Sequence, residues 1–138
     1  MPKLSRPACA VRARGVEGDR QRDLRYHGGP SRAVCLYSLE LIHALRAEGH
    51  PIDAGSIGEN FTVAGIPWHA MVPGAKLAVG DVLLELTDFA APCSNLKPYF
   101  LGGRFVRVSQ KAHPGWSRLY ASVLREGTVH AGDAVRVE

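Results

Sequence analysis

The chain has 138 residues, the size of one compact domain, which leaves no room for two full-sized ones. Its 46% hydrophobic and 22% charged residues exclude intrinsic disorder. The net charge of +4 conceals a pattern: residues 1–32 carry a net +5, residues 33–88 a net −5, residues 89–125 a net +6 with no acid at all, and the tail a net −2.

Two basic blocks therefore flank an acidic one. A fold that joins them makes a local anion site, although loose nucleic-acid binding fits the same balance. No apolar run approaches the roughly 18 residues of a membrane span, and Met1-Pro2-Lys3-Leu4-Ser5 opens no signal region, so a cytoplasmic protein is expected. Cys9, Cys35 and Cys93 are odd in number, widely spaced and without a Cys-x-x-Cys pair, which disfavours a disulfide scaffold and a zinc ribbon alike.

Along the chain, Ala8 to Ala13 and Ala33 to Tyr37 are short apolar runs that suit strands. They place Cys9 and Cys35 in the core. The polar, Gly-containing stretch from Gly15 to Pro30 separates them as a long loop, and long ordered loops are often functional. Ser38 then caps a helix over Leu39 to Glu48, with Leu41, Ile42 and Leu45 on one face and Gly49 as its left-handed stop. Ala75 to Asp88 alternates around a Gly80-Asp81 turn, and Gly127 to Glu138 repeats that arrangement around Gly132-Asp133. Between them Arg118 to Arg125 alternates, with Leu119, Ala121 and Val123 on one side and Tyr120, Ser122 and Leu124 on the other. Many short strands with one or two helices favour a closed or partly closed β-barrel, because closure removes exposed edges.

Three constellations can carry chemistry. Cys93 follows Pro92, and Ser94 or Asn95 can cap a short helix whose positive end lies beside the sulfur, with Lys97 adding to the field. A positive field favours the thiolate that a nucleophile or a metal ligand needs, and the alternative is a buried structural cysteine. His27-Gly28-Gly29-Pro30-Ser31-Arg32 lets the backbone approach an anion while His27 and Arg32 donate to it, or is simply a turn. In Gly58-Glu59-Asn60, Asn60 can hydrogen-bond a heterocycle and Glu59 can hold a neighbouring loop, against a solvated turn as the alternative. No His-x-x-x-His pair occurs, and no P-loop or dinucleotide fingerprint. His43 reads as peripheral; His50, His69 and His130 read as loop or surface residues, and His113 as part of a turn or lid.

Taken in order, Gly18-Asp19, His27-Gly28-Gly29 with Arg32-Ala33-Val34, Gly58-Glu59-Asn60, Gly80-Asp81, Pro92-Cys93, Tyr120-Ala121-Ser122-Val123-Leu124 with Gly127, and Gly132-Asp133 resemble the MOSC family. The family is named for the carboxy-terminal domain of molybdenum cofactor sulfurase. The resemblance covers nearly the whole chain and rests on order and spacing rather than on one string. It looks most like the standalone bacterial members.

The resemblance implies a single domain over residues 1–138, mainly β with a few short helices, in a MOSC-type closed or partly closed barrel. It further implies binding of the molybdenum cofactor, with the Cys93 thiolate as metal ligand and catalytic group. Cofactor contacts are expected from His27, Gly28, Gly29, Arg32, Asn60, Ser94 and Arg107, with Arg104 or Lys111 as substitutes for Arg107 at the phosphate. The implied activity is reduction of N-hydroxylated small molecules, with electrons from an external redox partner, since no flavin or iron–sulfur motif is present. One alternative is a sulfur carrier that takes a Cys93 persulfide from a cysteine desulfurase. Another is a noncatalytic basic β-barrel that binds nucleic acid, which gains little support from 7% aromatics and no stacking run. Family members usually carry a strand before the segment matching Pro2-Lys3-Leu4. This chain is expected to lack it, leaving a barrel edge open to a second copy or another partner.

Overall fold

Five consecutive buried residues, Val34–Ser38, form the strand around which the sheet is ordered (β3). Such a run has no solvent face, so it belongs in a sheet covered on both sides. The computed structural model describes residues 8–12, 15–16 and 32–138. Strands β1 (Ala8–Arg12) and β2 (Gly15–Val16) precede β3. Helix α1 (Leu39–Ala47) follows it and leads to β4 (Phe61–Val63), which pairs with β3 in parallel. A parallel neighbour needs a crossover, and α1 supplies it.

The helix forms where its sequence signals stand. The Leu41 amide donates to Ser38 Oγ at 3.3 Å, and Leu41, Ile42 and Leu45 are the buried face. At the other end the Gly49 amide donates to Arg46 O at 2.9 Å and the His50 amide to Leu45 O at 3.1 Å. That pair of bonds needs the left-handed backbone that Gly49 adopts at φ +101°.

The remaining strands are β5 (Lys76–Val79), β6 (Val82–Ala90), β7 (Arg118–Arg125), β8 (Gly127–His130) and β9 (Val135–Val137). They complete a six-stranded sheet in the order β4-β3-β7-β6-β5-β9 and a three-stranded sheet in the order β2-β1-β8. Register shifts at Leu83/Leu84 and Leu86/Asp88 mark irregularities in β6, and such bulges bend a strand and curl its sheet. Only Glu126 separates β7 from β8, so the chain steps directly from one sheet to the other. The result is the expected mainly β fold, a nearly closed barrel, with Leu36, Leu77, Leu84, Leu86 and Leu119 fully buried inside.

The two Gly-Asp turns pack against each other. The Gly80 amide donates to Ala134 O at 3.0 Å, and a Cβ at Gly80 would collide with the Asp133 carboxylate. Their sequence similarity therefore reflects one shared contact at the end of the barrel. Short 3-10 turns, Ser94–Tyr99, Leu101–Gly103 and Phe105–Val108, fill the acid-free stretch between β6 and β7. Among the described residues no helix is long and apolar enough to cross a membrane.

Ser38 is 1% exposed and caps the only crossover between β3 and β4 among the described residues. Ser38→Ala is expected to lower the unfolding free energy by about 1 kcal/mol without changing the urea m-value. Equilibrium denaturation followed by circular dichroism checks this.

Candidate functional site

The end of β6 builds one wall of a cavity. Beyond Ala90 the chain passes through Ala91 and Pro92 to Cys93, which is extended at φ −134°, ψ 172°. The chain then turns into the 3-10 helix Ser94–Tyr99, which Leu96 anchors in the core. Cys93 occupies the capping position of that helix, and no side chain caps it. Asn95 instead accepts a hydrogen bond from the Cys93 thiol. A carboxamide presents an acceptor on one side and donors on the other, so Asn95 can also serve a thiolate by turning over.

Cys93 is half-buried and faces a cavity of about 590 Å³. The cavity's other walls include Ile57 and Gly58, which follow α1, Arg32 just before β3, and Arg118 and Tyr120 on β7. Arg118 and Tyr120 lie two apart on a strand and so share a face, while Leu119 and Ala121 point to the core.

Arg118 joins two walls. Its Nη1 donates to Ile57 O at 2.7 Å and its Nη2 to Ala91 O at 3.3 Å, although the residue is only 4% exposed. The guanidinium thus ties the loop before β4 to the loop carrying Cys93. Arg32 lies over the Tyr120 ring, 4.9 Å from its centroid, and its Nη2 reaches Asp88 Oδ2 at 3.3 Å. Side chains of that pair are 39% and 55% exposed, so the ion pair is worth little and Arg32 can turn to a ligand at small cost. Burial pushes the Tyr120 hydroxyl pKa up, against the opposing fields of Arg118 and Arg32. Tyr120 therefore holds its proton at neutral pH.

Below the cavity, Glu59 is completely buried. Its Oε2 accepts from the Gly55 amide at 2.9 Å and from the Thr62 hydroxyl at 3.0 Å, while Oε1 has no partner. Burial raises the Glu59 pKa, and those hydrogen bonds and the Arg118 charge only partly offset it. Glu59 was expected to hold a neighbouring loop; its bonds to Gly55 and Thr62 instead brace its own loop before β4.

Several residues expected at the site lie elsewhere. Asn60 was expected to contact a cofactor, but its Oδ1 accepts from the Cys35 backbone amide at 2.7 Å while its backbone N–H donates to Cys35 O at 2.7 Å. This reciprocal pair satisfies the backbone of a buried strand, and Asn60 does not line the cavity. Arg107 was assigned to phosphate, but its guanidinium forks onto Glu48 at 2.9 and 2.8 Å and lies 4.0 Å over the Trp116 ring. It clamps the end of α1, away from Cys93. Ser94 is exposed and outside the cavity lining, as are the proposed substitutes Arg104 and Lys111. His50 is buried rather than on the surface, with Nδ1 accepting from the Leu101 amide at 2.9 Å. Cys35 lies in the core as expected, at 1% exposure. His27, Gly28 and Gly29 lie outside the described residues, as does the side chain of Cys9. Sequence reasoning named Tyr120 only within the family pattern and Arg118 only as the start of an alternating strand; the available signal was that the two lie two apart and so share the face opposite Leu119 and Ala121.

The family model of the MOSC domain matches residues 23–136. The chain belongs to the MOSC domain family. It is 31% identical over 136 residues to YflK, an uncharacterised protein of Bacillus subtilis, covering 96% of this chain and 59% of YflK. It is 30% identical over 122 residues to YiiM of Escherichia coli, covering 85% of this chain and 53% of YiiM. The chain thus spans little more than half the length of these relatives. The crystal structure of E. coli YiiM superposes with a TM-score of 0.71 at 23% identity, over 95% of this chain and 62% of that one. The YuaD protein of B. subtilis gives 0.72 at 19% identity, over 96% and 85%. At these identities the structural likeness shows the fold, a MOSC barrel.

Glu59 yields a pH test. Its folded-state pKa is raised, so its contribution is most favourable below about pH 4.5, the ordinary glutamate value, and is lost as pH rises through the folded-state pKa. Relative to Glu59→Gln, which has no proton to lose there, the wild type is therefore expected to lose stability progressively as pH rises from that point. Urea denaturation of both proteins from pH 4 to about pH 8 checks this. A stability difference that does not move with pH contradicts the burial of an ionisable Glu59.

Proposed function

We propose that this chain binds the molybdenum cofactor in the cavity beside Cys93, with the Cys93 thiolate as the protein's ligand to the metal, and reduces N-hydroxylated compounds with electrons from an external donor. The family is associated with the molybdenum cofactor. The observation that carries the reading here is the half-buried Cys93 thiol on the wall of a cavity that also contains two guanidinium groups.

The residues present fit such a group. A volume of about 590 Å³ lies within the usual range for organic cofactor pockets. Thiolate is a soft ligand suited to a metal that is already bound by sulfur. Among the described residues no three His, Cys, Asp or Glu side chains gather to hold a metal ion, so Cys93 suits a metal that brings ligands of its own. Arg32 and Arg118 offset the negative charge of a thiolate and of an anionic cofactor.

When bound, the cofactor supplies a redox-active metal that accepts electrons from the donor and passes them to the substrate. The net reaction takes two electrons and two protons: the N–O bond breaks, an N–H bond forms, and the oxygen leaves as water. The chain's own groups perform the rest. Asn95 orients the Cys93 sulfur toward the cavity. Arg118 holds the Ala91 carbonyl, and through it the loop that presents Cys93. Tyr120 keeps a proton on its hydroxyl inside the cavity, where it can donate to a polar substrate. Phe89, Leu96 and Tyr99 give the lining an apolar side that excludes water from a flat ring.

Protein purified from a host competent in cofactor synthesis is expected to carry stoichiometric molybdenum and a fluorescent pterin oxidation product. Cys93→Ser is expected to lose most of the metal. Retention of full molybdenum by Cys93→Ser, measured by inductively coupled plasma mass spectrometry, would overturn the assignment of the ligand.

A further inference from the structure

The end of α1 grips the run of turns that begins at Cys93. Glu48, Gly49 and His50 follow the last helical residue, and each of them touches that run. Glu48 takes the fork of Arg107, and a Cβ at Gly49 would lie 3.5 Å from Leu101 Cδ2. His50 Nδ1 accepts from the Leu101 amide at 2.9 Å. On either side of Leu101 the backbone is held within its own turns, with the Phe100 N–H on Lys97 O at 3.1 Å and the Gly103 N–H on Phe100 O at 2.9 Å. The Leu101 N–H leaves the turn and uses the imidazole instead.

A ring nitrogen that accepts from a backbone N–H carries a lone pair there, so the proton of the neutral ring sits on Nε2, which faces Glu48 Oε1 at 3.4 Å. The side chain is 7% exposed and packs edge to face on Phe100, with 5.3 Å between ring centres, so it has little room to turn to another partner. Protonation puts a second N–H on Nδ1, directly against the Leu101 N–H. Two donors then meet without an acceptor, and the bond is lost. The imidazolium also draws on Glu48 Oε1, the oxygen that Arg107 Nε already uses at 2.9 Å. Glu48 and Arg107 are the charged groups of this contact; Tyr37, which feels both, keeps its proton because burial pushes its pKa up.

We propose that His50 is a proton-operated clasp on the Cys93 wall of the cavity, closed when the imidazole is neutral and released when it is protonated. Cys93, Asn95, Leu96 and Tyr99 of the clasped run line the cavity. The bonds from the Phe100 N–H to Lys97 O and from the Leu96 N–H to Cys93 O at 3.0 Å connect Leu101 back to Cys93 through successive turns. A fall in pH therefore loosens the wall that presents the thiol. The clasp itself needs no cofactor; its consequence for activity rests on the cofactor reading of the cavity.

The test follows the full chain, free of cofactor, by NMR from about pH 8 to about pH 5, the range over which imidazoles ordinarily change charge. The Leu101 amide and the amides of Ser94–Tyr99 are expected to shift with the midpoint of the His50 ring signal. Hydrogen exchange at the Leu101 amide, corrected for its intrinsic pH dependence, is expected to quicken about tenfold across that midpoint. Other histidines titrate in the same range, so His50→Gln assigns the effect: its carboxamide oxygen accepts from the Leu101 N–H at any pH, and the Leu101 transition is expected to vanish. Persistence of that transition in His50→Gln overturns the proposal. So does a Leu101 amide that keeps its shift and protection while His50 titrates, a His50 ring that stays neutral down to pH 5, or movement confined to Leu101 with Ser94–Tyr99 unchanged. Should His50→Gln fail to fold, the coincidence of the His50 and Leu101 midpoints in the unsubstituted protein decides the matter. Because these samples contain no molybdenum, failure here and failure of the Cys93 assignment are read separately.

Discussion

The site depends on one buried guanidinium holding two loops that are far apart in sequence. Arg118 bonds Ile57 O on one side and Ala91 O on the other. Isolated, such a charge would be expelled from a barrel wall; fixed by two carbonyls it becomes a strut. Its position at the first residue of β7, paired with Ala90 at the end of β6, makes that geometry possible. Cys93 follows two residues after one of the carbonyls, and Gly58 one residue after the other. The separation of these loops, and hence the cavity between them, is set by Arg118.

The charge map gains a physical meaning from the pairing. Each of the two basic blocks in the sequence sends an arginine to the cavity, Arg32 from the first and Arg118 from the second. Other members of the second block are engaged elsewhere: Arg107 forks onto Glu48, and Arg125 donates to Asp81 O at 2.9 Å. The acidic middle block is likewise divided among tasks. Glu48 clamps the helix end, Glu59 staples the loop before β4, and Asp88 steadies Arg32 at the rim. Net charge along the chain thus pointed coarsely to the cavity, and the fold decided which arginines line it.

What could be read from the chain was what local physics controls. Ser38, the Leu41/Ile42/Leu45 face and Gly49 define α1 within a few residues, so the helix appears where it was expected. The alternation of Arg118–Arg125 and the Gly80-Asp81 and Gly132-Asp133 turns are equally local. Cys93 was legible from its Pro92 and Asn95 neighbours and from the family resemblance. Asn60 and Arg107 are engaged outside the cavity, which the sequence did not show because their partners, Cys35 and Glu48, lie 25 and 59 positions away and nothing local names a partner at that range. Arg118 was hidden for the converse reason: an apolar alternation suggests core, and only the fold reveals that one side of β7 faces a cavity.

The central claim is that the Cys93 sulfur is the protein's ligand to molybdenum in this cavity, and X-ray absorption at the molybdenum edge tests it most directly. The account predicts that wild-type protein from a cofactor-competent host shows a sulfur neighbour of the metal that the Cys93→Ser protein lacks. Identical sulfur coordination in the two proteins would contradict it.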